Sequence, residues 1–155
     1  MLDVNQDVVG ALPPAISLRG QYVKDLSIEC PGGRHRAMNK DEPFELDTQV
    51  GVEVLKIEGD LYEVVIRILL RGMVKGADSF LLDVWYAGCF EVRGLDEAFA
   101  KPFLTIEAPR MLYPHATSIA VITAAMSGYA PITFGPVDFA SLQQQNLEIG
   151  TPPQA

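Results

Sequence analysis

Three consecutive segments between Phe44 and Glu91 alternate apolar and polar residues with a period of two, and only short turns separate them. In the first, Phe44, Leu46, Val50, Val52 and Val54 oppose Glu45, Asp47, Gln49 and Glu53. After a Glu58-Gly59-Asp60 turn, Tyr62, Val64, Ile66, Ile68 and Leu70 oppose Glu63, Val65, Arg67, Leu69 and Arg71. After a turn over Gly72 to Asp78, Phe80, Leu82, Val84, Tyr86 and Phe90 oppose Leu81, Asp83, Trp85, Cys89 and Glu91. Successive strand residues face opposite sides of a sheet, so each segment is a half-buried strand. Connections this short favour neighbours that run in opposite directions. A fourth such segment comes first in the chain, with the even positions Ile16, Leu18, Tyr22, Leu26 and Ile28 on one face and Asp25 and Glu29 on the other; Pro31-Gly32-Gly33 ends it. A polar loop holding Arg34, His35, Arg36 and Lys40 follows.

Beyond Gly94 the pattern changes. Leu95 to Ala100 suits a short helical turn, and Pro102 and Pro109 favour an extended crossing segment over Lys101 to Tyr113. A helix is expected with Pro114 near its start and Gly128 at its end, and Asp138 caps a last helix through Phe139 and Leu142. The fold class expected from these segments is α+β, with antiparallel strands followed by helices. Residues 16–146 form one domain, preceded by a flexible N-terminal segment (1–15) and followed by a disordered tail (147–155).

No Asp, Glu, Lys or Arg occurs from Met111 to Val137. Pro114, His115, Thr117, Ser118, Thr123, Gly128 and Pro131 interrupt this run, which excludes a membrane span. A helix without charge must bury both sides, and a sheet covers only one, so the run calls for a subunit partner.

Composition narrows the function. The chain has 155 residues, 12 Lys+Arg and 20 Asp+Glu, and a net charge of −8. It lacks the basic stripe with which a protein neutralises phosphates, which argues against nucleic acid. Two acids, Asp3 and Asp7, stand where a secretory signal carries positive charge, so a cytoplasmic location is expected. Cys30 and Cys89 are too far apart for a CxxC pair, and with two distant His they offer no metal site. Cys89, His115 and Asp83 could supply a nucleophile, a base and an orienting acid, but no local motif binds them. The expectation is a protein that is not an enzyme, with no catalytic residues, metal or cofactor.

The outward strand faces carry more information. Asp25, Glu29, Glu45, Asp47, Glu53, Glu63, Asp83 and Glu91 share the polar phase of their strands, interleaved with Val65, Leu69 and Leu81 and opposed mainly by Arg67 and Arg71. Such a surface suits a partner that brings basic and apolar groups together. Trp85, Tyr86, Phe90, Phe99, Phe103 and Tyr113 gather around the fourth strand and the crossing segment, where they could line an apolar groove.

Six ordered pieces give the chain a family resemblance: Tyr22 to Glu29, Leu61 to Arg67, Phe80 to Val84, Gly88-Cys89-Phe90, Pro109 to Pro114 and Phe134 to Phe139. Together they resemble the SecB export-chaperone family over about residues 18–142. The resemblance implies a four-stranded antiparallel sheet with helices on one face, assembled as a homotetramer, a dimer of dimers. It also implies an ATP-independent cytosolic holdase that keeps precursor proteins unfolded and delivers them to the SecA motor. Carried over residue by residue, SecA contacts fall on Asp25, Glu29, Leu81 and Asp83, and a client groove on Phe90, Phe103 and Tyr113. The chain departs from the family pattern at Ala87-Gly88-Cys89 and at His115 and Thr117, and its tail, Thr151 to Ala155, is less acidic. A SecB-like chaperone dedicated to one client, such as an antitoxin, is the alternative.

Overall fold

The computed structural model describes residues 15–148; the expected flexible segment and tail lie almost wholly outside these residues. Four strands, β1 (Ala15–Glu29), β2 (Glu45–Glu58), β3 (Leu61–Val74) and β4 (Ala77–Arg93), form one sheet in the order β1-β4-β3-β2. All three pairings are antiparallel. Gly59, with φ +53°, turns the chain between β2 and β3. The second hairpin is tighter than the sequence suggests. Its strands run on to a two-residue turn at Lys75-Gly76, both with positive φ (+50° and +79°), the twist that fits a right-handed pair of strands.

The apolar phase of β3 and β4 forms the core: Val64, Ile66, Ile68, Leu70, Phe80, Leu82, Val84 and Phe90 are fully buried. Each such side chain contributes about 1.5–3 kcal/mol of transfer free energy. Above this face runs α3 (Ala108–Met126), whose buried residues include Ala108, Leu112, Ala116, Ala120 and Ala124. Their spacing of four makes one stripe of mostly methyl groups, so the helix axis can lie close to the sheet. It crosses β4 near Gly88, where a Cβ would come within 3.0 Å of the Leu112 side chain.

Three expectations need correction. The crossing segment is helical, not extended. α2 (Glu97–Pro102), capped by the Asp96 side chain on the Phe99 N–H, leads through a π-helical turn (Phe103–Glu107) into α3. Pro102 closes α2, and Pro109 stands in the first turn of α3, where its missing N–H costs little. The wide π turn, closed by the Ala108 N–H on the Phe103 carbonyl, joins the two. Pro114 consequently lies inside α3 and not near its start. The helix does end as expected: Gly128 (φ +89°) and Tyr129 return their N–H groups to the Ala125 and Ala124 carbonyls, closing the last turn.

Strand β1 does not keep one phase. Arg19 and Lys24 are extra residues in bulges, and each reverses which face the next residues occupy. Opposite β4, Tyr22 therefore stands on the face of Asp25 and Glu29, while Val23 joins Leu26 and Ile28 on the helix side.

The polar loop after β1 contains a short helix, α1 (Gly33–Met38), and Arg36 in it is buried. Its guanidinium donates to the Gly128 and Glu42 carbonyls and lies over the Phe44 and Tyr129 rings, at 5.0 and 5.4 Å from their centroids. The last helix, α4 (Phe139–Glu148), begins at Asp138, whose carboxylate accepts from the Ser141 N–H at 3.1 Å. Among the described residues, no helix is long and apolar enough to cross a membrane.

Candidate partner face and client cleft

On the face of the sheet turned away from the helices, β4 presents Leu81, Asp83, Trp85, Ala87, Cys89 and Glu91. Glu29 pairs with Leu81, Ser27 with Asp83 and Asp25 with Trp85 from the β1 side. Arg71, Leu69 and Arg67 pair with the same three β4 residues from β3. The backbone register thus brings Asp25, Glu29, Leu81 and Asp83 together on two adjacent strands.

Their charges differ in availability. Asp83 receives two hydrogen bonds from Arg67, Nε to Oδ1 at 3.0 Å and Nη2 to Oδ2 at 2.8 Å. These bonds hold the Asp83 carboxyl below the usual carboxylate range, against an opposing desolvation effect, and raise the Arg67 guanidinium in turn. The same guanidinium lies 4.7 Å from the Trp85 ring centroid. Glu91 is paired with Arg19 at 3.1 Å, and Glu63 accepts from the Tyr22 hydroxyl and Lys24. Asp25 and Glu29 are exposed and have no ion-pair partner among the described residues. Leu81 is 38% exposed, whereas Val65, expected to be interleaved with the acids on the open surface, is 2% exposed.

The sheet separates the residues that might have formed a nucleophilic site. Cys89 is on the outward face, 3.9 Å from the Tyr22 hydroxyl. His115 belongs to α3 on the other side, stacked on the Tyr86 ring at 5.8 Å. No group of three or more His, Cys, Asp or Glu among the described residues is placed to hold a metal ion.

On the helix side, a cleft of about 230 Å³ opens between the sheet and the α2–π-turn connection. Val54 and Tyr62 form its floor and Ala100, Leu104 and Thr105 its wall, with Glu97 and Lys101 also lining it. Phe103 lies edge-on to Phe90 with centroids 5.8 Å apart, but Phe90 is wholly buried and offers no surface in this state. Tyr113 packs edge-on to Phe139 and donates to the Gly135 carbonyl at 2.8 Å, away from the cleft lining. Trp85 leaves the expected aromatic set because it stands on the outward face. Sequence reasoning missed Val54, Tyr62 and Leu104 as lining residues. The alternation gives the inward phase of the first two, but it cannot show where the helical layer stands off the sheet.

The family model described as "Preprotein translocase subunit SecB" matches residues 10–149. The chain belongs to the SecB family. Among SecB relatives, the protein-export protein of Afipia carboxidovorans is 31% identical over 88% of this chain and 85% of its own length. That of Methylocella silvestris is 35% identical over 86% of this chain and 83% of its own. Among solved SecB-like structures, the Mycobacterium tuberculosis Rv1957 chaperone, in complex with a ChAD peptide from the Rv1956 HigA1 antitoxin, aligns with a TM-score of 0.65 at 17% identity. It covers 79% of this chain and 90% of that one, and at that identity the likeness concerns the fold.

Proposed function

We propose that this SecB-family chain is an ATP-independent cytosolic holdase that keeps precursor proteins unfolded and hands them to SecA for export. The supporting observation is that one sheet carries two chemically distinct surfaces. An acidic face with Asp25 and Glu29, neither ion-paired among the described residues, lies on one side, and an apolar cleft beneath α2 on the other. A chaperone that must hold one partner while docking on another needs two such surfaces. The cleft, lined by Val54, Tyr62 and Leu104 and backed by Phe103 over Phe90, takes apolar segments that only an unfolded chain exposes. The acidic face, with Asp25, Glu29, Leu81 and Asp83, docks the basic partner.

Assembly as a dimer of dimers fits the apolar residues left uncovered. Met111, Val121, Ile122 and Met126 are exposed on α3, and Leu18, Val23 and Leu26 on the helix side of β1. Several weak client contacts on one oligomer would add through effective concentration.

Aggregation of a reduced, unfolded client without nucleotide provides the test. The protein in molar excess should suppress light scattering by the client, and no suppression would overturn the holdase reading. Mass by static light scattering, with and without client, tests the tetramer.

A further inference from the structure

On the outward face, the Arg67 guanidinium is held between the carboxylate of Asp83 and the ring of Trp85. Asp83 presents both carboxylate oxygens and Trp85, two residues along β4, presents its ring; Arg67 fills the space between them with a two-pronged hydrogen bond and its guanidinium carbon over the ring. This is the geometry by which proteins recognise arginine and reject lysine, since an ammonium can neither bridge two oxygens in plane nor stack as a flat cation. On its β1 side the face is acidic and open. Asp25 pairs with Trp85 across β1 and Glu29 lies farther along the same strand, both without an ion pair among the described residues, and Leu81 is exposed beside them. The Arg67 side chain is itself 44% exposed, so the seated guanidinium is within a partner's reach.

We propose that the Asp83–Trp85 pair is a binding site for an arginine side chain of the docking partner, and that Arg67 holds it in the free protein as an intramolecular competitor. This rests on reading the face as the SecA surface. The partner's arginine must displace Arg67, and the displaced guanidinium can swing toward solvent or toward the partner's own acids. Partner binding is therefore weaker than the acidic face alone would give, and it selects arginine over lysine. Arg67 acts on the partner only through this competition and is a positioning residue.

Trp85 is the chain's single tryptophan, so its indole N–H resonance reports on this site alone. The experiment uses the full-length protein as wild type, Arg67→Gln, Arg67→Lys and the double variant Arg67→Gln/Asp83→Asn, each checked for unchanged Tm. Two partners are titrated: purified SecA, and a short acetylated peptide with two arginines alongside its lysine counterpart. In Arg67→Gln the arginine peptide should shift the indole resonance and the lysine peptide should not. SecA affinity should rise roughly fivefold, the size expected when a partly exposed ion pair no longer competes. A rise also in Arg67→Lys, which leaves net charge unchanged, would assign the gain to the vacated site and not to the lost charge. The double variant should lose the gain.

An indole resonance indifferent to the arginine peptide in Arg67→Gln would overturn the receptor, as would equal responses to the two peptides. SecA affinity unchanged or reduced in both Arg67 variants would overturn the competition. If SecA binds no form while the indole still responds to the arginine peptide, the receptor stands and the SecA reading of the face fails.

Discussion

The Nε of Arg36 donates to the Gly128 carbonyl at 3.0 Å, joining a helix that follows the first strand to the end of the longest helix, 92 residues away in the chain. The same guanidinium also reaches the Glu42 carbonyl and covers two aromatic rings. Truncation would remove two charge-assisted hydrogen bonds and uncover Phe44 and Tyr129. Arg36→Ala should lower stability by about 2–4 kcal/mol. Arg36→Lys should recover only part of it, because an ammonium cannot span both carbonyls and the rings. Urea unfolding midpoints at constant slope measure both.

Gly72 and Gly51 make a matched pair on neighbouring strands. A Cβ at Gly72 would lie 2.1 Å from the Phe80 ring, whereas one at Gly51 meets nothing within 4 Å. Gly72→Ala should cost about 1–3 kcal/mol through overpacking. Gly51→Ala should be neutral or stabilising by up to about 1 kcal/mol, since strand glycines carry excess unfolded-state entropy. Thermal unfolding of the two variants side by side is the check.

The Tyr22–Glu63–Lys24 cluster sets both ends of a pH window. Hydrogen bonds from Lys24 and then Tyr22 hold the Glu63 carboxyl below its ordinary value of 4.5. Its contribution to stability is fully present above that value and lost as pH falls through the lower, folded value. The Tyr22 hydroxyl is raised above its ordinary 10.0, chiefly by its bond to Glu63, so its contribution is present below pH 10.0 and lost as pH rises further. Glu63→Gln should flatten the acid limb of stability against pH without removing it, because Asp83, Glu42 and Asp138 are also held low. Tyr22→Phe should flatten the alkaline limb. Urea midpoints measured from pH 3 to 11 would show each change.

Asp25 and Glu29 are outward-face acids with no ion-pair partner among the described residues, so reversing them tests docking without breaking an ion pair seen there. Asp25→Lys/Glu29→Lys should weaken SecA binding by roughly tenfold or more and reduce its salt dependence. Stability should stay within about 0.5 kcal/mol for each substitution and client holding should be kept. Loss of SecA binding and client holding together would mean that the two surfaces are not separate.

Much of this arrangement is legible in the sequence where a local rule and the tertiary structure agree. The phases of β2, β3 and β4 follow from alternation alone, and Asp138 and Gly128 mark helix ends by their own chemistry. The rest depends on contacts distant in the chain. Arg36 reads as a loop cation because its partners, Gly128 and Tyr129, lie more than ninety residues on. Prolines at 102 and 109 argue against helix until a π turn absorbs the mismatch between the two helical segments. In β1 the polar Arg19, Gln21 and Lys24 fit either face, so nothing local reveals where the strand changes sides. Asp83 is legible as an outward acid, but its occupation by Arg67 requires the register of β3 against β4.

The two bulges in β1 leave it with more residues than the stretch of β4 it pairs with: its 15 residues lie along Leu81–Arg93. Chain length and facing are thereby uncoupled at Arg19 and Lys24. Removing either residue would take up slack without turning any neighbour over, whereas a one-residue deletion elsewhere in β1 would invert every side chain between the cut and the nearest bulge. Two positions therefore work as expansion joints, where the edge of this sheet can change length while the outward acids and the inward core keep their sides.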